Sequence, residues 1–140
     1  MPTEAIFQNL PNGDPLRFGT GSRFRPEKVR DFLSLGNADV SRLADVSVKS
    51  VRFDAAIPAA VRDHFEAIAV ICNLVAEVFD GDAEKTALWF RTKNPLLGDV
   101  SPRDMIRLRR LDRLRRFIVG AIADRAMAVR NQPDASGMPG

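Results

Sequence analysis

Residues 58–79, PAAVRDHFEAIAVICNLVAEVF, carry a wide apolar pattern at helical spacing. Apolar residues recur every three or four positions, which is typical of the buried face of a helix. Pro58 suits the first turn of this helix, which ends before Gly81. Because the stripe is broad enough to bury two faces, we predict that the helix is central or lies in a dimer interface. The stripe consists of Val61, Phe65, Ile68, Ile71, Cys72, Val75 and Phe79, widened by Val70, Leu74 and Val78.

The chain before this helix predicts three shorter helices. Pro26 is a favoured first-turn residue, and Gly36 is a suitable C-cap for the helix that Pro26 opens. A second helix follows from a capping Asn37 through Leu43, and a third from a capping Ser47 to about Asp54. Two short helices joined by a tight turn within residues 37–54 are the pattern of a helix-turn-helix.

The chain after it also favours helices. Asp82 caps a helix that runs to about Arg91, with Leu88 and Trp89 directed inward, and Asn94-Pro95 ends it. The sequence Ser101-Pro102-Arg103-Asp104 is a strong helix start because it combines a capping serine, a first-turn proline and an acid.

The last helical region is predicted to extend to about Val129. The run Arg107-Leu108-Arg109-Arg110 contains no helix breaker, so the sequence allows the last two helices to fuse. Long alternating Val/Ile/Thr runs, the main strand signal, are missing, which predicts an all-α fold. The stripe of the last helix is formed by Leu111, Leu114, Ile118 and Ile122.

Composition limits the class of protein. The chain has 140 residues, 45% hydrophobic and 28% charged, which predicts one or two soluble domains. A lone cysteine, Cys72, cannot form an internal disulfide, and neither a signal peptide nor a membrane span is evident, so we expect a cytoplasmic protein. We predict an extended arm at 1–25, a helix-turn-helix unit at 26–57, a helical domain at 58–130 and a disordered tail at 131–140.

The predicted third helix presents a candidate DNA-binding surface. Its polar side chains donate hydrogen bonds, which suits contacts to phosphates and to base edges in the major groove. Asp45 lies in the turn before it and would face duplex phosphates unfavourably. The candidate DNA-binding residues are Ser47, Lys49, Ser50 and Arg52.

The run at 87–106, ALWFRTKNPLLGDVSPRDMI, resembles the signature of the toxin-binding domain of Xre/MbcA/ParS-type antitoxins. In that signature an aromatic-rich helix end is followed by an Asn-Pro loop and a helix that opens with Pro-x-Asp. Together with the upstream helix-turn-helix pattern, the resemblance covers about residues 27–126. Its structural motif residues here are Trp89, Asn94, Pro95, Gly98 and Pro102.

The resemblance implies an antitoxin of a RES-Xre toxin-antitoxin system. Its partner would be a RES-domain toxin that degrades NAD, neutralised when the C-terminal domain covers the toxin's NAD pocket. The antitoxin would also bind its own operator DNA, as a homodimer within a toxin-antitoxin complex. The toxin-binding residues that we assign on this basis are Arg113, Arg116, Arg125 and Arg130.

The residues favour a binding protein over an enzyme. His64 is the single histidine, and the sequence places no nucleophile beside it. Neither a zinc-ligand cluster nor a phosphate-binding glycine loop is present, so no metal or cofactor is expected. Two alternatives stay open: a stand-alone helix-turn-helix transcriptional regulator that dimerises through its C-terminal domain, and an adaptor whose helix-turn-helix has lost DNA binding, as Asp45 would favour.

Overall fold

A computed structural model of the chain describes Pro11, residues 13–54 and residues 57–131, with the backbone alone for 126–131. Within these residues there is no strand, and the predicted all-α class is confirmed. Single 3-10 turns stand at Gly21–Arg23, Val48–Ser50 and Pro95–Leu97. The helices are α1 (Pro26–Leu33), α2 (Asn37–Ala44), α3 (Ala59–Val78), α4 (Ala83–Arg91), α5 (Pro102–Arg107) and α6 (Leu111–Asn131).

Helix α3 is the centre of the fold. It packs against α1, α2, α4 and α6, as the width of its apolar stripe predicts. Its stripe residues from Val61 to Val75 are buried, and Phe79 is half-buried where the helix ends. No helix in the described ranges is long and apolar enough to cross a membrane.

One hydrophobic cluster joins residues from all six helices. It runs from Val29 of α1 through Phe65 of α3 and Phe90 of α4 to Ile118 of α6. The predicted domain boundary at residues 57/58 stays a prediction, and the cluster contains residues on both sides of it.

The arm before α1 is held on α3 by a buried asparagine. Asn73 accepts a hydrogen bond from the Leu16 N–H at 3.1 Å and donates to the Asp14 carboxylate at 3.0 Å. The same carboxylate accepts hydrogen bonds from the backbone N–H groups of Phe18 and Gly19. Phe18 and Phe24 of the arm are buried, and residues 1–10 lie outside the described part of the chain. The presence of the polar Asn73 among the apolar residues of α3 is thus explained by the arm, which packs over this position and supplies its hydrogen-bond partners.

We expect the substitution Asn73→Leu to destabilise the protein by about 2 kcal/mol. The change keeps the branched shape of the side chain but leaves a part-buried N–H without its acceptor and the Asp14 carboxylate without one donor. Urea unfolding followed by circular dichroism measures this loss. His64→Leu, an exposed position on the same helix, serves as control and should change stability by less than about 0.5 kcal/mol. Equal effects of the two variants would contradict the role given to Asn73.

The predicted third helix, Ser47–Asp54, is the largest departure from the sequence prediction. The structure has a 3-10 turn of three residues there, and Val51 already has extended backbone. The reason is the core: Phe53 packs edge-to-face on Phe65 with ring centroids 5.7 Å apart, and Val51 also packs on the cluster. Extended backbone places Val51 and Phe53, which are two residues apart, on the same side of the chain, whereas a helix would place them on different faces.

Two further boundaries differ from the prediction. The C-cap of α1 is Ser34, in left-handed backbone with φ 53°, whereas Gly36 precedes α2 as its N-cap, a position predicted for Asn37. Helices α5 and α6 do not fuse, because the chain turns at Leu108–Arg110 with Arg109 at φ 61°. A hydrogen bond from the Arg110 N–H to the Met105 carbonyl closes this turn.

Candidate partner-binding surfaces

The Asn-Pro loop is organised by Asn94. Its side-chain oxygen accepts a hydrogen bond from the Leu96 N–H at 2.9 Å, and its backbone N–H donates to the Val100 carbonyl at 3.1 Å. Pro95 opens the 3-10 turn, and Gly98 closes it in left-handed backbone with φ 79°, which glycine adopts without strain. The loop is therefore a turn whose conformation is stabilised by hydrogen bonds and backbone geometry within residues 94–100, where the predicted structural residues Asn94, Pro95 and Gly98 lie.

The loop leads directly into α5. Ser101 is the N-cap, and its hydroxyl accepts a hydrogen bond from the Asp104 N–H at 3.1 Å. Pro102 occupies the first helical turn, as predicted, and is buried. The start of α5 is therefore defined by local chemistry and packing together.

The aromatic end of α4 joins this domain to α1. Phe90 is fully buried, and its ring packs edge-to-face on Trp89 at 5.0 Å and on Phe32 of α1 at 6.3 Å. Trp89 is half-buried against the core, in line with its predicted anchoring role. The inward orientation predicted for Leu88 is wrong, because Thr86 and Phe90 define the buried face and Leu88, half a turn from Phe90, is 67% exposed.

Three arginines from α4 and α5 hold the connection between α1 and α2. Arg103 donates to the carbonyls of Leu33 and Ser34, where α1 ends. Arg91 donates to the Ser34 hydroxyl at 3.0 Å. We call Arg91, Arg103 and Arg107 the arginine clamp; among them, Arg103 satisfies carbonyls at the end of α1 that lack a partner within the helix.

Arg107 completes the clamp through an ion pair with Asp39 of α2. Its Nε lies 3.0 Å from one Asp39 oxygen, and its Nη1 lies 3.0 Å from Asp104. The other Asp39 oxygen accepts a hydrogen bond from the Gly36 N–H. The carboxylate therefore both caps the start of α2 and ties this helix to α5.

The comparisons with known proteins identify this part of the chain. Residues 74–119 match the family model described as the antitoxin Xre/MbcA/ParS C-terminal toxin-binding domain. The match covers 46 of the 140 residues, so this part of the chain is similar to an Xre/MbcA/ParS toxin-binding domain. The match confirms the resemblance predicted from the run at 87–106, and the role it describes is binding. No curated protein and no solved structure matches the chain.

The segment that matches the toxin-binding domain therefore extends from Leu74, in the last quarter of α3, to Val119 of α6, and the arginine clamp reaches outside it to α1 and α2. The sequence prediction missed this clamp. The arginine-rich composition of residues 103–116 was its one visible signal, but composition does not distinguish arginines that bind a carbonyl from arginines that face water.

The ionisation of Asp39 reflects its surroundings. Burial alone would raise the pKa of this carboxyl, but the Gly36 N–H and the Arg107 guanidinium together hold the pKa below its ordinary value of 3.8. A carboxyl with a depressed pKa in the folded state stabilises the fold above its unfolded pKa. This contribution disappears as the pH falls through the lower pKa of the folded state.

We therefore expect Asp39→Asn to cost about 1–2 kcal/mol at neutral pH and progressively less in acid. The difference in unfolding free energy between wild type and variant should be constant above about pH 5 and shrink as the pH drops below the ordinary carboxyl pKa. Urea titrations from neutral pH into acid give the curve. Asp63→Asn, an exposed acid on α3, controls for loss of charge. A difference that did not change with pH would contradict the ion pair as its origin.

The predicted DNA-binding residues lie together on the Val48–Ser50 turn and just beside it. Ser47, Lys49, Ser50 and Arg52 are all exposed. The hydroxyls of Ser47 and Ser50 lie 2.8 Å apart and bond to each other, and Arg52 pairs with Asp54 at 3.2 Å. Asp45 is exposed at the end of α2 in left-handed backbone with φ 55°. The turn is a small polar surface rather than a full recognition helix.

The predicted toxin-binding arginines divide between two faces of α6. Arg113 and Arg116 are exposed and share a face, being three residues apart. Arg125 is exposed about half a turn away from Arg116 around the helix. Arg130 lies in α6, but its side chain is outside the described residues.

The second half of α6 continues past the hydrophobic core. Leu114 and Ile118 are buried, while Ala121 and Arg125, which continue the same helical face, are exposed. The helix ends at Asn131, so about 20 Å of it follows Val119 at 1.5 Å per residue. We call residues 119–131 the α6 extension. Within it, Ile122 still packs half-buried against the core, whereas Ala121 and Arg125 are exposed.

In the described ranges, no group of three or more histidine, cysteine, aspartate or glutamate side chains is placed to hold a metal. Cys72 is fully buried in α3, which raises the pKa of its thiol. This thiol belongs to the packing of α3.

Proposed function

We propose that this protein is the antitoxin of a RES-domain toxin that degrades NAD, and that the α6 extension docks on that toxin. The observation that carries the proposal is the exposed surface of the α6 extension at Ala121 and Arg125, beside Ile122, which still packs on the core. An exposed helical surface that projects from a packed core is suited to a partner. The partner is a toxin because the helix leaves a toxin-binding domain.

The geometry supports neutralisation by covering a pocket. A single projecting helix about 10–12 Å wide is narrow enough to lie across the mouth of a cofactor cleft. Arg125 would then face the toxin, and the small side chain of Ala121, one turn earlier on the same face, would permit close approach. The assignment of the toxin to the RES class and the role of its NAD pocket come from the family resemblance. We also propose that the antitoxin is cytoplasmic and binds the toxin as a homodimer.

The test is co-purification with the product of the adjacent gene, followed by an NAD-consumption assay. Wild-type antitoxin should form a stable complex and stop NAD loss. Arg125→Glu should weaken inhibition at least tenfold, because a charge reversal within an interface leaves unpaired charges. Arg23→Glu, an exposed arginine before α1, is the matched control and should inhibit like wild type.

Two results would contradict the proposal. A neighbouring gene product that is not a RES-domain protein, or that forms no complex, would remove the toxin assignment. Full inhibition by the Arg125→Glu variant would place the toxin contact on another face. A stand-alone transcriptional regulator is the alternative that would then remain.

A second candidate function is operator binding by the surface around Val48–Ser50. The exposure of Ser47, Lys49, Ser50 and Arg52 on one turn favours it. A 3-10 turn of three residues rises only about 6 Å, so it reaches fewer base edges than a full recognition helix. We expect Lys49→Ala/Arg52→Ala to reduce preference for the operator over a shuffled duplex and to leave toxin neutralisation intact. If wild type shows no such preference, the adaptor without specific DNA binding is the better account of this surface.

A further inference from the structure

The positive charge of the chain is concentrated around the α5–α6 turn. Residues 103–116 contain seven arginines and two aspartates, whereas the whole chain has a formal net charge of only +3. The rest of the molecule is therefore net acidic. Such separation produces a local positive potential that attracts an anionic partner.

The fold uses only two of these seven arginines. Arg103 and Arg107 belong to the arginine clamp and bond to carbonyls and carboxylates of their own chain. The other five are exposed and make no ion pair with any described residue. These five are Arg109, Arg110, Arg113, Arg115 and Arg116.

The placement of these arginines costs the fold stability. Arg110 and Arg113 lie at the N-terminal end of α6, where cations oppose the helix dipole and destabilise the helix. Neighbouring arginines three or four residues apart also repel one another. Asp112 is the one acid within this first turn. Since the described core gains nothing from these charges, an external anion is the natural explanation for them.

The arginines also form an ordered row. Arg110, Arg113 and Arg116 are spaced three residues apart, so they follow one slanting line along α6. At 1.5 Å per residue the row is about 9 Å long, which covers two to three phosphates of one strand at 3.4 Å of duplex axis each. Guanidinium groups match phosphate oxygens through paired hydrogen bonds.

We propose that this arginine row binds the phosphate backbone of duplex DNA. Arg109, which precedes the row in the chain, lines a groove of about 310 Å³ together with Leu43 of α2. Leu43 lies just before the turn that carries the predicted base-reading residues. A duplex seated on that turn would meet the row as its main source of positive charge.

This proposal rests on the second candidate function, because both have duplex DNA as the ligand. It differs in assigning most of the DNA-binding affinity to the arginine row. The turn at 47–52 has two cations, one of which is paired with Asp54. The arginine row has three cations without a described ion-pair partner. The turn would therefore supply preference between sequences, and the row would supply most of the affinity.

The experiment measures binding of the full-length protein to a labelled promoter duplex and to a shuffled duplex, by fluorescence anisotropy over a salt series. The test variant is Arg110→Ala/Arg113→Ala/Arg116→Ala. The matched control is Arg17→Ala/Arg23→Ala/Arg25→Ala, which removes the same charge from exposed positions of the arm. Circular dichroism establishes that both variants are folded.

The row variant should bind both duplexes about 100-fold more weakly at low salt, while the control changes less than threefold. The slope of log K against log salt should fall by about 3, one for each lost phosphate contact. Wild type could bind both duplexes equally, with a salt dependence that disappears in the row variant. In that case the proposed operator recognition is wrong, but the proposed binding of DNA phosphates by the arginine row is supported.

Three outcomes would overturn the assignment. The row variant could bind both duplexes like wild type, or wild type could bind neither at low salt. The row variant could also keep DNA binding and lose the toxin, which would make the row a contact for an acidic protein surface.

Discussion

Truncation after Gly120 should abolish toxin neutralisation and leave the rest of the protein folded. The cut removes Ala121, Arg125 and the remainder of the α6 extension, which we propose as the toxin-docking element. It retains Leu114 and Ile118, the buried residues through which α6 packs on the core. We expect inhibition of NAD loss to fall by at least 100-fold, because the interface loses a whole helical segment rather than one side chain.

A second truncation provides the control. Ending the chain after Asn131 removes residues 132–140 and keeps all of α6. This variant should inhibit the toxin like wild type and unfold within about 1 kcal/mol of the full chain. Truncation after Gly120 also removes Ile122, which is half-buried against the core, and should cost about 1–2 kcal/mol. Loss of inhibition in both would place the contact within residues 132–140 and contradict docking through the α6 extension.

Phe90→Ala should lower the free energy of unfolding by about 3–5 kcal/mol. Phe90 is fully buried and contacts Phe32 of α1 and Trp89 of α4 by edge-to-face packing. The substitution creates a cavity where the toxin-binding domain meets α1, and these helices cannot close the cavity without breaking the arginine clamp. Since domains of this size are stable by only about 5–15 kcal/mol, the melting temperature should drop by about 10–15 °C.

Leu88→Ala is the matched control for this prediction. Leu88 lies on the same helix two residues earlier and is 67% exposed. Its truncation removes little buried surface, so the melting temperature should stay within about 2 °C of wild type. Differential scanning calorimetry measures both variants, and a larger loss from Leu88→Ala would mean that α4 is rotated relative to the structure described here.

Long periodic helices and helix caps were predictable from the sequence. The bounds of α3 and α4 follow from Pro58, Gly81 and Asp82, because each of these residues acts on backbone close to it in the chain. The Asn-Pro loop followed for the same reason, as Asn94, Pro95 and Gly98 shape the turn in which they lie. Local chemistry of this kind needs no knowledge of the surrounding fold.

The features that were missed depend on distant contacts. Residues 51–54 have helix-compatible neighbours, yet Phe53 is drawn to Phe65 and the backbone becomes extended. Nothing within residues 107–110 breaks a helix, yet α5 and α6 separate there because Ile106 and Leu114 are both buried in the same core. The partners of Arg103 and Arg107 lie 68–70 residues earlier in the chain, a distance that composition and periodicity do not bridge.

The hydrophobic cluster that joins all six helices also bears on the turnover of the protein in the cell. A protein with one shared core opens as a unit, so a protease that gains access to any helix gains access to the whole chain. The surface that we propose for the toxin is then degraded together with the helices that precede it. A toxin seated on α6 would in turn stabilise the entire chain against degradation, with the benefit set by toxin concentration relative to its dissociation constant.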